Sequence, residues 1–245
     1  MKRILITNDD GITASGIIRL AEAALAWGEV WVIAPESQRS AQSHAITLRE
    51  PLELHPHDFP VPHVHAWACS GTPSDCVRVG LSFLMDAPPD AVLSGINFGY
   101  NMASDVQYSA TVGAALEAVH RGIPGIAFSE PADENHQVTD EWLPQVLESV
   151  LAEKINWDEI INVNFPHEFC HGILRDRKLS AGSMFQDGFQ LMESFQDGGI
   201  KLSTEGLLNF DCEEGTDFRA LMDHYISVGR IRNLHSPDYS SCYNS

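Results

Sequence analysis

The chain has 245 residues, 44% apolar and 20% charged, the size and composition of one α/β domain or of one domain with an extension. Fifteen Lys and Arg against 34 Asp and Glu leave a formal charge of -19, which argues against a nucleic-acid polymer or an anionic membrane surface as the main partner. A small phosphate ester stays open, since one metal ion reverses the local field in a cleft.

The first half alternates strands and helices. Residues 4–7 read as a short buried strand ending in Asn8-Asp9-Asp10-Gly11. The spacing of Ile17, Leu20, Ala24 and Trp27 predicts a helix over 17–27, with Ser15 as N-cap and Gly28 as stop. A second strand follows over 30–34 and ends at Pro35, so the first two strands should be parallel, joined by a right-handed crossover. Residues 36–43 form a polar loop, and 44–54 alternate well enough for an extended strand that Pro51 confines to an edge. A strand over 63–69 leads to a helix start, with Thr72 as N-cap, Pro73 at the first helical position and Asp75 in the first turn.

Residues 91–93 form a buried strand running into Ser94-Gly95-Ile96-Asn97, followed by a polar loop to about residue 108. A helix over 110–119, ended by Gly122, and a strand over 125–128 come next. The acidic stretch 130–141 reads as a solvated loop, and Pro144 predicts a late start for the helix carrying Trp142, Leu143, Val146, Leu147, Val150 and Leu151. A strand over 160–163 stops before Pro166. Residues 171–215 are polar, Gly-rich and hairpin-like, and a short helix over 217–225 and a strand over 226–228 follow.

These elements predict an α/β fold: a doubly wound, mostly parallel, Rossmann-like sheet with an irregular, β-rich C-terminal extension. A single domain spans 1–245, with the sheet core over 1–165 and the extension over 166–245. The five cysteines, Cys69, Cys76, Cys170, Cys212 and Cys242, are odd in number and hold no C-x-x-C pair, so they read as reduced thiols. The apolar run after Lys2-Arg3 meets Asp9 too soon for a signal peptide, and no run approaches the ~20 residues of a membrane span. A cytoplasmic protein is expected.

In a doubly wound sheet, ligands bind beyond the carboxyl ends of the strands. The loops there supply carboxylates from Asp9 and Asp10, a hydroxyl from Ser40 and a carbonyl from Asn97. An all-oxygen set with open positions suits Mg²⁺, Mn²⁺ or Ca²⁺ better than structural zinc. Asp-Asp-Gly is also ordinary turn composition, and spacing alone leaves both readings standing. The helix opening Tyr108-Ser109-Ala110-Thr111 presents hydroxyls and free backbone N–H groups, which make an anion site or simply a cap by Ser109. His55 and His57, and His63 and His65, each share a face on a strand, but the flanking Pro56, Pro60 and Pro62 mark an exposed turn rather than a zinc site.

Assembled, these loops resemble the survival protein E (SurE) family of nucleotidases. The matching motifs are Ile6-Thr7-Asn8-Asp9-Asp10-Gly11, Ala34-Pro35 through Arg39-Ser40-Ala41, and Gly71-Thr72-Pro73-Ser74-Asp75-Cys76-Val77. Ser94-Gly95-Ile96-Asn97 with Gly99 and Asn101, and Tyr108 to Ala115, match as well, as do Asn162-Val163-Asn164 and Glu214-Gly215-Thr216-Asp217. The resemblance implies metal-dependent removal of phosphate from nucleoside 5′-monophosphates, and possibly 3′-monophosphates. It implies one divalent ion per subunit, Mg²⁺, Mn²⁺ or similar, on Asp9, Asp10, Ser40 and Asn97. It also implies a homodimer or homotetramer with the C-terminal part exchanged between subunits. On this reading Asp9 and Asp10 are catalytic, while Asn8, Asn101, Ser109 and Thr111 bind or orient substrate. No basic residue of the matched loops except Arg39 is placed to neutralise phosphate. The chain departs from the family at Ala110, where glycine is usual, and over 174–181, where a basic Thr-Arg-Leu-Gly-like segment is usual.

Other readings fit less well. A receiver domain needs a phosphoacceptor Asp after its third strand, a haloacid-dehalogenase-type phosphatase needs D-x-D, and a dinucleotide-binding dehydrogenase needs G-x-G-x-x-G; none is present. The strongest rival is a non-catalytic nucleotide-binding or scaffold protein that has kept the fold.

Overall fold

The computed structural model describes residues 1–182, 184–209 and 212–232, with only the backbone of Leu208. Cys242 lies outside the described residues. β1 (Lys2–Thr7), α1 (Ser15–Ala24) and β2 (Gly28–Pro35) form the expected parallel unit. β3 (Leu54–Pro56) and β4 (Val64–Cys69) follow, then α2 (Pro73–Val79) with a π-helical turn over Gly80–Leu84. β5 (Ala91–Phe98), α3 (Ala110–His120), β6 (Gly125–Glu130), α4 (Gln137–Ala152) and β7 (Glu159–Asn164) complete the alternation. β8 (Ile173–Arg177), β9 (Phe185–Ser194), β10 (Ile200–Leu208), α5 (Asp217–Met222) and β11 (Ile226–Arg232) close the described chain.

The main sheet runs β3-β4-β2-β1-β5-β6-β7-β11-β8. Its central strands are parallel, while β3 and β11 run antiparallel to β4 and β7. Successive residues of a strand face opposite layers. Ile4, Ile6, Val30, Val32, Leu93, Ile126 and Phe128 meet α1 and α4 on one side. Leu5, Ile33 and Val92 meet α2 and α3 on the other. Burial on both faces explains why these strands read as unbroken apolar runs. Strand order reverses at β1 and β5, the switch point where such sheets open a crevice.

Several expectations are corrected. Ser15 is the first residue of α1 rather than its cap; extended Ala14 takes that place, with its N–H donated to the Gly11 carbonyl at 3.1 Å. The strand expected over 44–54 is reduced to β3, because 44–53 runs past α2, where Asp75 accepts from the Thr47 N–H at 3.0 Å. α4 starts at Gln137, ahead of Pro144, since the buried Val138, Leu143, Val146 and Leu147 offset the bond that the proline removes. The acidic stretch is not simply solvated: Glu130 is buried at the end of β6, paired with Arg19 and His136. Beyond residue 165, β11 and β8 extend the main sheet, whereas β9 and β10 form a separate antiparallel hairpin. α2 starts as read, with a full capping box between Thr72 and Asp75.

Candidate active site

Two close approaches bring the loops of the crevice together. A Cβ on Gly16 would lie 2.0 Å from the Ile96 carbonyl, so α1 packs directly on β5. A Cβ on Gly113 would lie 2.4 Å from the Ser43 carbonyl, so the loop after β2 lies against α3. Any side chain at either position would push these loops apart.

Asp9 follows β1 and is buried, while Asp10 is half-buried beside it. Asp9 Oδ1 accepts from the Thr111 hydroxyl at 2.5 Å, and that hydroxyl stands 3.4 Å from Asn97 Oδ1. Asp9 (after β1), Asn97 (near the end of β5) and Thr111 (first turn of α3) are thus gathered at one point. Asn97 turns its amide nitrogen to the Gly99 carbonyl at 2.7 Å, which leaves its oxygen toward Thr111. Asp10 Oδ2 accepts from the Phe98 N–H at 3.0 Å, and its carboxylate also bonds the Gln38 side chain. Ser40 is exposed on the loop after β2; its neighbour Arg39 donates its backbone N–H to the Asp9 carbonyl at 2.7 Å. The Arg39 guanidinium donates to the Ser70 carbonyl at 2.7 Å, so it braces the loop instead of facing an anion.

The electrostatics of this point favour a cation. Burial, with the Asp10 charge adding to it, pushes the Asp9 carboxyl up to about 6, against the pull of the Thr111 hydroxyl. Burial also raises Asp10, against the Phe98 N–H and the Gln38 side chain. Among the described residues no Lys, Arg or His pairs with either carboxylate. Two adjacent carboxylates with an amide oxygen beside them suit a hard divalent ion, not zinc. Among the described residues no three His, Cys, Asp or Glu side chains group as a metal site, so any ligand set here must include neutral oxygens.

The remaining candidates take up distinct places. The Asn8 side chain is buried and closes the turn, donating to the Gly11 carbonyl at 2.9 Å and accepting its N–H at 3.2 Å. Ser109 caps α3, its oxygen accepting the Val112 N–H at 3.0 Å. Helix geometry leaves the N–H groups of Ala110 and Thr111 without an intrahelical partner. Ala110 is the first residue of that helix and is absent from the positive-φ residues, so the usual glycine is not demanded by the backbone. Asn101 is buried in an amide network: it donates to Ser129 Oγ at 2.8 Å, and its carbonyl accepts from Asn162 and Asn164 at 2.8 and 2.9 Å.

Sequence reasoning gave no role to Gln38, Ser129, Asn162, Asn164 or Asp217. Asp217 is buried and accepts the N–H groups of Ala103 and Ser180 at 2.9 and 2.8 Å, tying the loop after β5 to the C-terminal part. The available signal was polar residues at buried strand positions, Asn162 and Asn164 in β7 above all.

The survival protein SurE family model matches residues 4–181. The 5′-nucleotidase SurE of Heliobacterium modesticaldum is 43% identical over 232 residues, covering 94% of this chain and 85% of the relative. That of Thermosipho melanesiensis is 37% identical over 232 residues, covering 93% and 90%. The crystal structure of the SurE protein from Aquifex aeolicus superposes with a TM-score of 0.80 at 32% identity, covering 97% of this chain and 96% of that one.

Proposed function

The chain belongs to the survival protein SurE family, and we propose that it is a 5′-nucleotidase, a phosphomonoester hydrolase whose single divalent ion sits on Asp9, Asp10, Ser40 and Asn97. The observation that carries the reading is the Asp9–Asp10 pair: one buried and one half-buried carboxylate at the switch point, paired with no cationic side chain among the described residues. An Mg²⁺ or Mn²⁺ ion held by these four residues would supply Lewis-acid chemistry to a phosphate ester and its attacking water.

The chain's own groups do the rest. The Thr111 hydroxyl holds Asp9 in place, and the Phe98 N–H and Gln38 hold Asp10. The backbone N–H of Thr111 joins its hydroxyl on the Asp9 carboxylate, and the N–H of Ala110, at the positive end of α3, binds a phosphoryl oxygen. The Ser109 hydroxyl keeps a proton to donate there, since its oxygen is what caps the helix. Asn8 and Asn101 shape the two loops from within. A carboxylate of the pair accepts the proton of the attacking water.

The hairpin carries this reading beyond one subunit. Phe185, Phe189 and Leu191 of β9 share a face with Leu202, which lies across the ladder from Leu191, and all four are exposed. A two-stranded hairpin bearing so much apolar surface needs a partner, and a second copy of the chain, in a homodimer or homotetramer, supplies one. Among the described residues no helix is long and apolar enough to cross a membrane. The likeness to bacterial SurE nucleotidases supports a cytoplasmic location as part of this proposal.

Phosphate release from AMP and GMP by the purified chain tests the activity. Turnover is expected with Mn²⁺ or Mg²⁺ and is expected to vanish in chelator. Folded protein that releases no phosphate from any nucleoside monophosphate with either metal would overturn the reading.

A further inference from the structure

Where the C-terminal ends of α2 and α3 meet, a cavity of about 390 Å³ is lined by two guanidiniums, Arg78 and Arg121, with Thr47, Ser82, Glu50 and Phe83 around them. None of its described lining residues comes from the Asp9–Asp10 turn, the Ser40 segment or the first turn of α3. This convergence of cations stands out in a chain that holds 15 Lys and Arg against 34 acids.

Each guanidinium is fixed from behind by a buried carboxylate. Arg78 donates through Nη1 to Asp75 at 2.9 Å and to the Thr47 carbonyl at 3.5 Å. Arg121 donates through Nε to Glu117 at 2.9 Å. Among the described residues neither guanidinium bonds through any other nitrogen, so each keeps further N–H donors. The charge of the carboxylates is itself shared out. Asp75 also accepts from the N–H and hydroxyl of Thr47 and from the N–H of Thr72, and Glu117 also pairs with His44 at 2.9 Å. Held this way, the forks match phosphate geometry without having to be ordered first. Phe83 is 79% exposed beside them and offers a flat face to a ring. Glu50, exposed at the rim, disfavours a bare anion but accepts from hydroxyl or amino groups.

We propose that this cavity is a second ligand site, distinct from the metal centre, that takes a phosphate group on Arg78 and Arg121 and a planar ring on Phe83, as a nucleoside monophosphate supplies. The same two carboxylates hold His44 and Thr47, on the segment that leads back to Ser40, so the site adjoins the loop of one candidate metal ligand.

The test is isothermal titration of inorganic phosphate, AMP and adenosine into the full-length Asp9→Asn chain in chelator, where the metal centre is disabled. The expected result is one phosphate or one AMP per chain and no binding of adenosine. Arg121→Gln, which leaves Glu117 paired with His44, should weaken both ligands about tenfold. Phe83→Ala should weaken AMP about tenfold while leaving phosphate binding, and the turnover of the otherwise wild-type enzyme, unchanged. Absence of phosphate and AMP binding, or affinities that Arg121→Gln does not alter, would overturn the proposal. Because the titration needs no metal and no turnover, its failure leaves the nucleotidase reading standing, and the reverse.

Discussion

A single hydroxyl joins the parts of the candidate metal centre. Thr111 Oγ1 donates its one proton to Asp9 and so fixes the direction of that carboxylate without needing to touch the ion, while the Gly99 carbonyl turns the Asn97 oxygen toward the same point. Groups of this kind orient metal ligands, and their loss commonly costs about 10- to 100-fold in affinity or activity. Thr111→Val, which keeps the shape and removes the hydroxyl, should weaken Mn²⁺ binding about 10- to 100-fold while thermal unfolding in chelator changes little. An unchanged Mn²⁺ affinity would deny Thr111 this role. The residue types were legible in sequence because oxygen ligands and a helix opening follow strands. The role of Arg39 is not legible locally, because its guanidinium is held by the Ser70 carbonyl, on a loop far along the chain.

At the scale of elements, Asp75 shows how a helix cap organises a loop. It closes the capping box of α2 and also holds Thr47 and Arg78. These bonds outweigh its burial and keep its carboxyl below the usual aspartate value of 3.8. A depressed folded pKa stabilises the protein above the unfolded value, and that stability is lost as pH falls through the folded one. Asp75→Asn should therefore be less stable than the wild type at pH 7, by about 1–3 kcal/mol. The gap should narrow as pH drops below about 4. Urea unfolding of both proteins from neutral pH to pH 3 reads this directly, and a constant gap would count against it. The cap itself was plain from Thr72-Pro73-Ser74-Asp75, since its signal is local. The segment 44–53 was misread as strand because its alternation is real, whereas what fixes it, Asp75, is a long-range partner. Pro144 misled for the same reason: its local penalty is known from sequence, and the buried stripe that offsets it is a property of the packed helix.

For the whole molecule, the mostly parallel character of the sheet was legible, because its central strands are buried on both faces and a helix joins β1 to β2, β4 to β5, β5 to β6 and β6 to β7. The return of the chain to that sheet through β11 and β8 was not legible, since β8 is only partly buried and lacks an apolar run. The β9–β10 hairpin was foreseen as a hairpin, but its apolar face is only evident once the register aligns Leu191 with Leu202. On the proposed assembly, deleting the hairpin between Phe185 and Leu208 and closing the gap with a short Gly-Ser linker should shift the native mass to a smaller species. Light scattering at matched concentrations measures this; an unchanged oligomer would place the interface elsewhere.

The central claim is that nucleotide hydrolysis depends on one ion bound at the Asp9–Asp10 pair. Its most direct test is to add Mn²⁺ stepwise to the chelated chain and measure bound metal and AMP hydrolysis on the same samples. Turnover should rise in proportion to bound Mn²⁺ and level off at one ion per subunit, and Asp9→Asn should abolish both while remaining folded. Full turnover in chelator, or undiminished metal binding and turnover in Asp9→Asn, would contradict it.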